Sequence, residues 1–333
     1  MRENVIHCDK FNFISILEIK IRKAINEHAT FYIRGHVPEG NNDYILKNSA
    51  NSSVSFTAAH PTEGRKELFN GIISDIDMHI ENDMHILSVN VVSRTTLMDI
   101  ELNTRTFQDR NMTYQNVTER MSEKNSTNTT NTNFNFLWPT HGNNPIESMT
   151  VQYNETDWNY ANRLAGRLGT VVVPDYLLDE PYISIGMTKR PIQQGIDTIS
   201  YSIQKSTSKY RSYQSNNQPN NQSNNSQSTN GQPTTNYEEN DTINYIVKSR
   251  DIYDLCDGIP FMGHTLFIYA IDSIYEGNEL VHYYTLKEKS GFFTNRQFNQ
   301  NILGVSLIGR VIDIRQDTVQ VQIHGDVSQT EHK

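Results

Sequence analysis

The chain has 333 residues, of which 36% are hydrophobic and 20% charged, and a formal net charge of −9. Its 37 asparagines outnumber the 29 lysines and arginines together, so amides and hydroxyls rather than charge carry the polarity. That balance excludes a nucleic-acid coat and a polybasic membrane binder, both of which need surplus positive charge, while the length allows two or three domains with sizeable cores.

The longest apolar runs, such as Val171–Val173 and Ile183–Ile185, fall far short of the roughly 20 residues that span a bilayer. Met1–Cys8 lacks the basic-then-apolar order of a secretion signal. Cys8 and Cys256 stand far apart with no C-x-x-C spacing, and are expected to be reduced thiols in a protein made in the cytoplasm.

Residues 1–105 read as strands. Leu17, Ile19 and Ile21 alternate with Glu18, Lys20 and Arg22, the period of two that puts one face in and one out. Gly71–Ile80 and His85–Ser93 flank the turn-type cluster Glu81-Asn82-Asp83, and Leu87, Val89 and Val91 alternate within the second run. Short strands separated by polar turns predict an antiparallel sheet rolled into a barrel.

Residues 106–191 form a mixed module. Thr113 is placed to cap a helix carrying Tyr114, Val117 and Met121 on one face. Ser122–Asn133 is Ser/Thr/Asn-rich and reads as a loop. A second helix begins near Thr156, where Trp158, Ala161, Leu164, Ala165 and Leu168 follow helical spacing. Thr156 or Asn154 is its N-cap, Asp157 suits its positive end, and Gly169 its stop. Trp158 is expected to anchor that helix on a sheet; Val171–Val173 and Tyr182–Ile185 read as strands.

Residues 192–318 are again β-rich, with strands at Ile196–Ile203, Ile243–Lys248, Leu266–Ile271, Leu280–Leu286 and Leu307–Ile314. Residues 214–236 carry no charge and no large apolar side chain. Such a run cannot offset the entropy of ordering and is expected to be a disordered insertion inside a domain. Val319, Val321 and Ile323 alternate within 319–333. Two β-rich blocks of similar length make a duplicated barrel conceivable.

Asp75, Asp77 and His79 alternate, so a strand carries all three on one face. That donor set suits a divalent cation, but a solvated strand face explains it more simply. His28, His36, His60 and His85 are scattered without zinc-site spacing. No G-x-S-x-G, P-loop or G-x-G-x-x-G is present. Glu155 and Asp157 sit at a helix start, where capping and charge–dipole complementarity explain them better than glycoside hydrolysis does. The 32 aromatic residues fit a β core before a sugar groove. No catalytic, cofactor or metal residue is therefore assigned.

Gln152, Tyr153, Asn154, Glu155, Asp157 and Trp158, followed by Arg163, Leu164 and Gly169, carry a resemblance. The string Val151-Gln152-Tyr153-Asn154-Glu155-Thr156-Asp157-Trp158 resembles the signature of the VgrG / phage late control D family, the baseplate hub proteins of contractile injection systems. Arg105-Thr106-Phe107-Gln108-Asp109 with Thr113-Tyr114, Asp257-Gly258 through Leu266, and Leu303–Val311 agree with that family in order. The resemblance spans essentially the whole chain.

It implies a mainly β (α+β) fold: two tube-type antiparallel barrels at 1–105 and 192–318, a mixed α/β module at 106–191, and the start of an OB-fold at 319–333. It also implies a non-enzymatic structural role without cofactors. A homotrimer would adapt a sixfold tail-tube protein above to a threefold spike or OB-fold protein below, alongside other baseplate proteins. Neither specific nucleic acid nor membrane insertion is implied for this segment, and the assembled location would be a bacterial phage tail, tailocin or injection particle. Relatives continue into a complete OB-fold and spike, so that continuation is expected in further sequence or in a separate chain. The residues alone leave two alternatives open: a carbohydrate-binding or glycoside-active β protein, and a trimeric adhesin or fibre.

Deleting Ser215–Thr235 is expected to leave the fold intact, with soluble yield and melting temperature unchanged; loss of soluble protein would show that the run is structural.

Overall fold

Alternating burial sets the frame of the molecule, a computed structural model that describes residues 6–39, 52–60, 64–123, 133–208, 210–211, 214 and 238–327. The Ser/Thr/Asn-rich loop and the uncharged 214–236 run fall largely outside the described residues. In the first third lie β1 (Ile6–Cys8), β2 (Ser15–Ala24), β3 (Thr30–Val37), β4 (Ser53–His60), β5 (Gly64–Glu81) and β6 (Met84–Val92). Ile19 and Ile21 of β2 point inward, as do Leu87, Val89 and Val91 of β6. Leu17 departs from the expected pattern and is exposed, because the β2–β3 register slips between Ile16 and Glu18. A bulge of one residue turns the side chains that follow onto the other face.

The middle of the chain holds β7 (Leu102–Phe107), α1 (Tyr114–Ser122), β8 (Asn135–Leu137), β9 (Thr150–Thr156), α2 (Asp157–Arg167), β10 (Val172–Pro174) and β11 (Tyr182–Ile185). Thr113 caps α1 as expected: its hydroxyl accepts from Asn116 N–H at 3.1 Å, and the Asn116 side chain accepts from Thr113 N–H at 3.3 Å. Tyr114, Val117 and Met121 are buried on one face. Thr156 caps α2, and Gly169, with φ +62°, ends it. β10, β11 and β8 form a small sheet, and β7 pairs with β9. The family-like string therefore begins in a strand, β9, and passes into α2.

The last third contributes β12 (Ser200–Lys205), β13 (Ile243–Ser249), β14 (Gly258–Phe261), β15 (His264–Glu276), β16 (Glu279–Lys287), and the hairpin β17 (Gly309–Arg315) and β18 (Thr318–Ile323). The hairpin lies on both sides of residue 318. It docks on the middle module through Gln108, whose amide donates to Val321 O at 3.0 Å and accepts from Ile323 N–H at 2.7 Å.

The mainly β (α+β) fold class is as expected. Eleven strands form one antiparallel sheet in the order β1-β4-β5-β6-β3-β2-β15-β16-β13-β12, with β14 also on β15. The first and last thirds thus share backbone hydrogen bonds through β2 and β15. One apolar core runs beneath both, from Phe31, Phe56 and Phe69 to Ile268, Tyr284 and Leu286. Phe31 stacks on Phe56 with ring centroids 3.9 Å apart.

Candidate functional site

The two outer thirds have the same strand plan. In the first, β2 pairs with β3, β3 with β6, β6 with β5 and β5 with β4. In the last, β12 pairs with β13, β13 with β16, β16 with β15 and β15 with β14. Five strands in chain order occupy the same five places, and the detail matches too. The β5–β6 turn is Asn82-Asp83 and the β15–β16 turn is Gly277-Asn278, with φ of +50°, +61°, +58° and +66°. Two left-handed residues in succession make the tight turn whose twist suits a hairpin.

Each long strand also bulges at one corresponding place, between Ile73 and Asp75 in β5 and between Ile268 and Ala270 in β15. Counting from bulge and turn, Asp75 corresponds to Ala270, Asp77 to Asp272 and Glu81 to Glu276. Through the pairings, Ile19 corresponds to Tyr201, Ile21 to Ile203 and Arg22 to Gln204.

β15 uses one edge twice. His264–Phe267 pairs with β14, and beyond the bulge Ala270–Ile274 pairs with Ala24–Lys20 of β2. Across that junction Arg22 Nη1 donates to both Asp272 oxygens, at 3.0 and 2.7 Å. On the inward side lies a buried polar cluster. Lys23 Nζ stands 4.0 Å from the Tyr176 ring centroid, Tyr176 Oη donates to Asp254 Oδ1 at 3.1 Å, and Lys66 Nζ lies 3.6 Å from Asp254 Oδ2. Burial lowers Lys23 to about 8, partly opposed by Asp254. Burial would raise Asp254, but Lys23, Lys66 and Arg190 outweigh it and hold its carboxyl below the ordinary value. His282 shares a 2.7 Å hydrogen bond with Ser273 Oγ; burial first, then Lys23 and Lys66, lower its pKa to about 3. No pattern in the sequence marks this cluster, because its members are polar and distant along the chain.

The family-like residues build a clasp around the start of α2. Buried Arg105 donates to Asp157 Oδ1 at 2.5 Å and Gln152 Oε1 at 2.9 Å, and Gln152 donates back to Asp157 at 2.8 Å. Arg163 grips both Glu155 oxygens, at 3.0 and 2.7 Å. Asn299 and Asn301 donate to the carbonyls of Tyr153 and Asn154, which ties the later chain to β9. Asn154 sits at φ +44°, where an asparagine is tolerated. Leu164 packs with Phe107, Val117 and Tyr160. Trp158 packs with Met98, Val172, Ile183 and Ile185, and lies against the tilted His28 ring with centroids 3.9 Å apart. It thus fastens α2 to the β10–β11 sheet. Glu155 and Asp157 are each held by an arginine.

Asp75, Asp77 and His79 share one exposed face of β5. Among the described residues no group of three His, Cys, Asp or Glu side chains is arranged to hold a metal ion. Cys8 and Cys256 are unpaired and buried, and burial pushes Cys8 up to about 11. A groove of about 310 Å³ beside α2 is lined by Arg163, Arg167, Arg296 and Phe298 with no carboxylate, so it lacks the acid pair that glycoside hydrolysis needs. Among the described residues no helix is long and apolar enough to cross a membrane.

Residues 24–175 match the family described as phage tail baseplate hub (GPD). Among solved structures, the chain is similar to an E. coli component of the type VI secretion system, itself described as similar to the T4 bacteriophage tail proteins gp27 and gp5. The TM-score is 0.63 at 12% identity, covering 96% of this chain and 89% of that one. It is also similar to the 43 kDa tail protein of prophage MuSo2 from Shewanella oneidensis (TM-score 0.57, 11% identity, 88% and 99% covered). A chain of the half-lidded Francisella PdpA–VgrG complex gives 0.52 at 9% identity, with 90% and 58% covered. At these identities the likeness is one of fold. No curated protein matches the chain by sequence.

Trp158→Ala is expected to destabilise the protein by about 3–5 kcal/mol, as for a large buried side chain removed from a core; an unchanged melting temperature would show that α2 is not anchored there. For His282, the folded value of about 3 lies below the ordinary 6.5. The unfolded chain therefore binds the extra proton between those values, so stability falls as pH drops from 6.5 toward 3. His282→Gln should flatten that part of the pH–stability curve by on the order of a few kcal/mol, read by denaturant titration at several pH values.

Proposed function

We propose that this chain, which matches the phage tail baseplate hub family over residues 24–175, is a structural baseplate hub protein of the VgrG and phage late control D type, and that three copies close into a ring which joins a sixfold tail tube to a threefold spike. The observation that carries this is the duplicated strand plan, with β2-β3-β4-β5-β6 repeated by β12-β13-β14-β15-β16. Two like units per chain give three copies six like surfaces, the number a sixfold tube presents. Closed rotational assemblies require each contact to recur around the ring, and the internal duplication supplies half of those contacts covalently.

In this reading the two tube-facing units lie within residues 1–105 and 192–318, as β2–β6 and β12–β16. The middle module braces them: α2 is pinned by Trp158, and Arg105, Gln152, Asp157, Glu155 and Arg163 hold its start rigid. The role is mechanical. The β17–β18 hairpin, whose Ile308, Val311, Ile314 and Val319 are exposed, is the first part of the connection to the spike, as an OB-fold would begin. Tail-tube and spike proteins are then the partners, and a tail or injection particle is the place of work.

Native mass and negative-stain images of the purified chain, alone and with the cognate spike, test the reading. The expected result is a species of three times the monomer mass with six lobes around a central opening. An elongated particle without a ring would favour the fibre alternative, and specific glycan binding the carbohydrate one.

A further inference from the structure

Among the described residues, each edge that meets its neighbour inside the chain has a bare counterpart in the other unit of the duplicated plan. In the last third, β15 beyond its bulge is covered by β2. In the first third, β5 beyond Ile73 is paired only with β6 among the described residues. Likewise β2 is covered by β15, whereas its counterpart β12 is paired only with β13 among the described residues. Among the described residues two edges therefore remain bare, and they are the counterparts of the two edges that meet inside the chain.

Burial records the same asymmetry. Ile19 and Ile21 of β2 are 1% and 3% exposed, but their counterparts Tyr201 and Ile203 of β12 are 52% and 51% exposed. Lys23 is 4% exposed, whereas the side chain of its counterpart Lys205 is 39% exposed. On β5, Ile76 and Met78 are only partly buried against the core, where their counterparts Ile271 and Ser273 are each 2% exposed. β12 thus presents large apolar side chains to water in the places where β2 buries them. An unpaired edge with exposed apolar side chains is a template for another strand.

We propose that the bare edge of β5 pairs antiparallel with β12 of a second copy of this chain, in the register that β15 uses with β2. Carried over pair by pair, Asp75 lies opposite Ser206, Ile76 opposite Lys205, Asp77 opposite Gln204, Met78 opposite Ile203 and His79 opposite Ser202 of the neighbouring copy. The contact is head-to-tail, joining two different surfaces, so it propagates around a ring. This rests on the ring reading above and gives it a defined seam.

The chemistry at the seam is graded. Inside the chain the outward face carries the Arg22–Asp272 ion pair; between copies the same place has the Gln204 amide facing the Asp77 carboxylate, a hydrogen bond in place of a salt bridge. On the inward face Ile203 meets Met78. Asp75, Asp77 and His79 thereby become the outward row of an intermolecular ladder, each opposite a hydroxyl or amide. Such pairing fits a seam that forms only after each chain has folded.

Paired cysteines test the register. Directly opposed residues of an antiparallel pair stand roughly 4.5–5.5 Å apart at Cα, inside the range of about 4.4–6.8 Å that a disulfide bridges. Asp77→Cys combined with Gln204→Cys in one chain, oxidised with copper phenanthroline, should give covalent dimers and trimers on a non-reducing gel. The yield should be at least tenfold above that of Asp77→Cys with Ile203→Cys, which is one residue out of register and on the opposite face. Cys8 and Cys256 are buried and do not compete. Native mass is measured on the same samples before oxidation.

A three-copy assembly without the 77–204 bond overturns this seam and leaves the ring reading standing. A 77–204 bond in an assembly of another size upholds the seam and sinks the three-copy ring. No bond at high protein concentration, whatever the mass, overturns the seam. Ile203→Lys should lower the assembled fraction at least tenfold with the melting temperature of the single chain unchanged; an undiminished assembled fraction counts against the pairing.

Discussion

A strand longer than its neighbour must find a second partner for the rest of its edge, and this constraint governs the architecture. β15 outruns the short β14 and β5 outruns β4. Both strands bulge close to the end of that first pairing. A bulge bends the strand and sharpens its twist, so the segment beyond it turns away from the first neighbour and opens an edge toward a new one. In β15 that neighbour is β2, and through it the two thirds of the chain share a sheet and a core. Buried Lys23, Asp254 and Tyr176 beneath the junction make the joint specific: removing one member would strand the charge or hydroxyl of another in a dry interior.

How far this could be read from residues alone depends on the kind of signal. Period two at Ile19, Ile21, Leu87, Val89 and Val91, the turn at Asn82-Asp83 and the helical spacing from Trp158 to Leu168 are local patterns, and each led to the right element. The bulges leave no mark, since neither Ser74 nor Tyr269 is of a type that announces one, and the exposure of Leu17 is illegible in the alternation for the same reason. β9 was hidden because its polar residues, Gln152 and Glu155, point into hydrogen-bond networks instead of alternating with apolar ones. The match of the two strand plans was visible only as two blocks of similar length, because its evidence is pairing and register. Those quantities belong to pairs of distant residues, and single-residue patterns do not encode them.

The family-like string illustrates the same division. Its residue types suggested helix capping and an aromatic anchor, and both roles are present: Thr156 caps, and Trp158 packs on Met98, Val172, Ile183 and Ile185. The carboxylates, weighed in the sequence as a possible acid pair, are spent on Arg105 and Arg163. A carboxylate held by a guanidinium through short, buried hydrogen bonds is fixed in orientation, which serves rigidity. The tail segment at Asn299 and Asn301 binds the same corner. The hairpin that follows is thereby fixed to the module that braces both outer units.

Rigidity at that corner and incompleteness at the two edges are complementary properties. In the proposed ring each chain has to resist shear, yet the separate copies have to stay soluble before they assemble. Backbone pairing inside the chain, reinforced by the Arg22–Asp272 ion pair and a continuous core, meets the first requirement. The second is met by edges that are short and carry mixed side chains: β12 has only six residues, with Ser200, Ser202 and Gln204 alternating with Tyr201 and Ile203. A short, half-polar edge gains little from pairing once, so a chance encounter dissociates. In a closed ring every seam holds two others in register, and the same modest edge becomes sufficient because its partner is already in place. In the proposed ring, therefore, the duplication would do more than supply the number of surfaces: it would let half the seams be permanent and half be made on assembly.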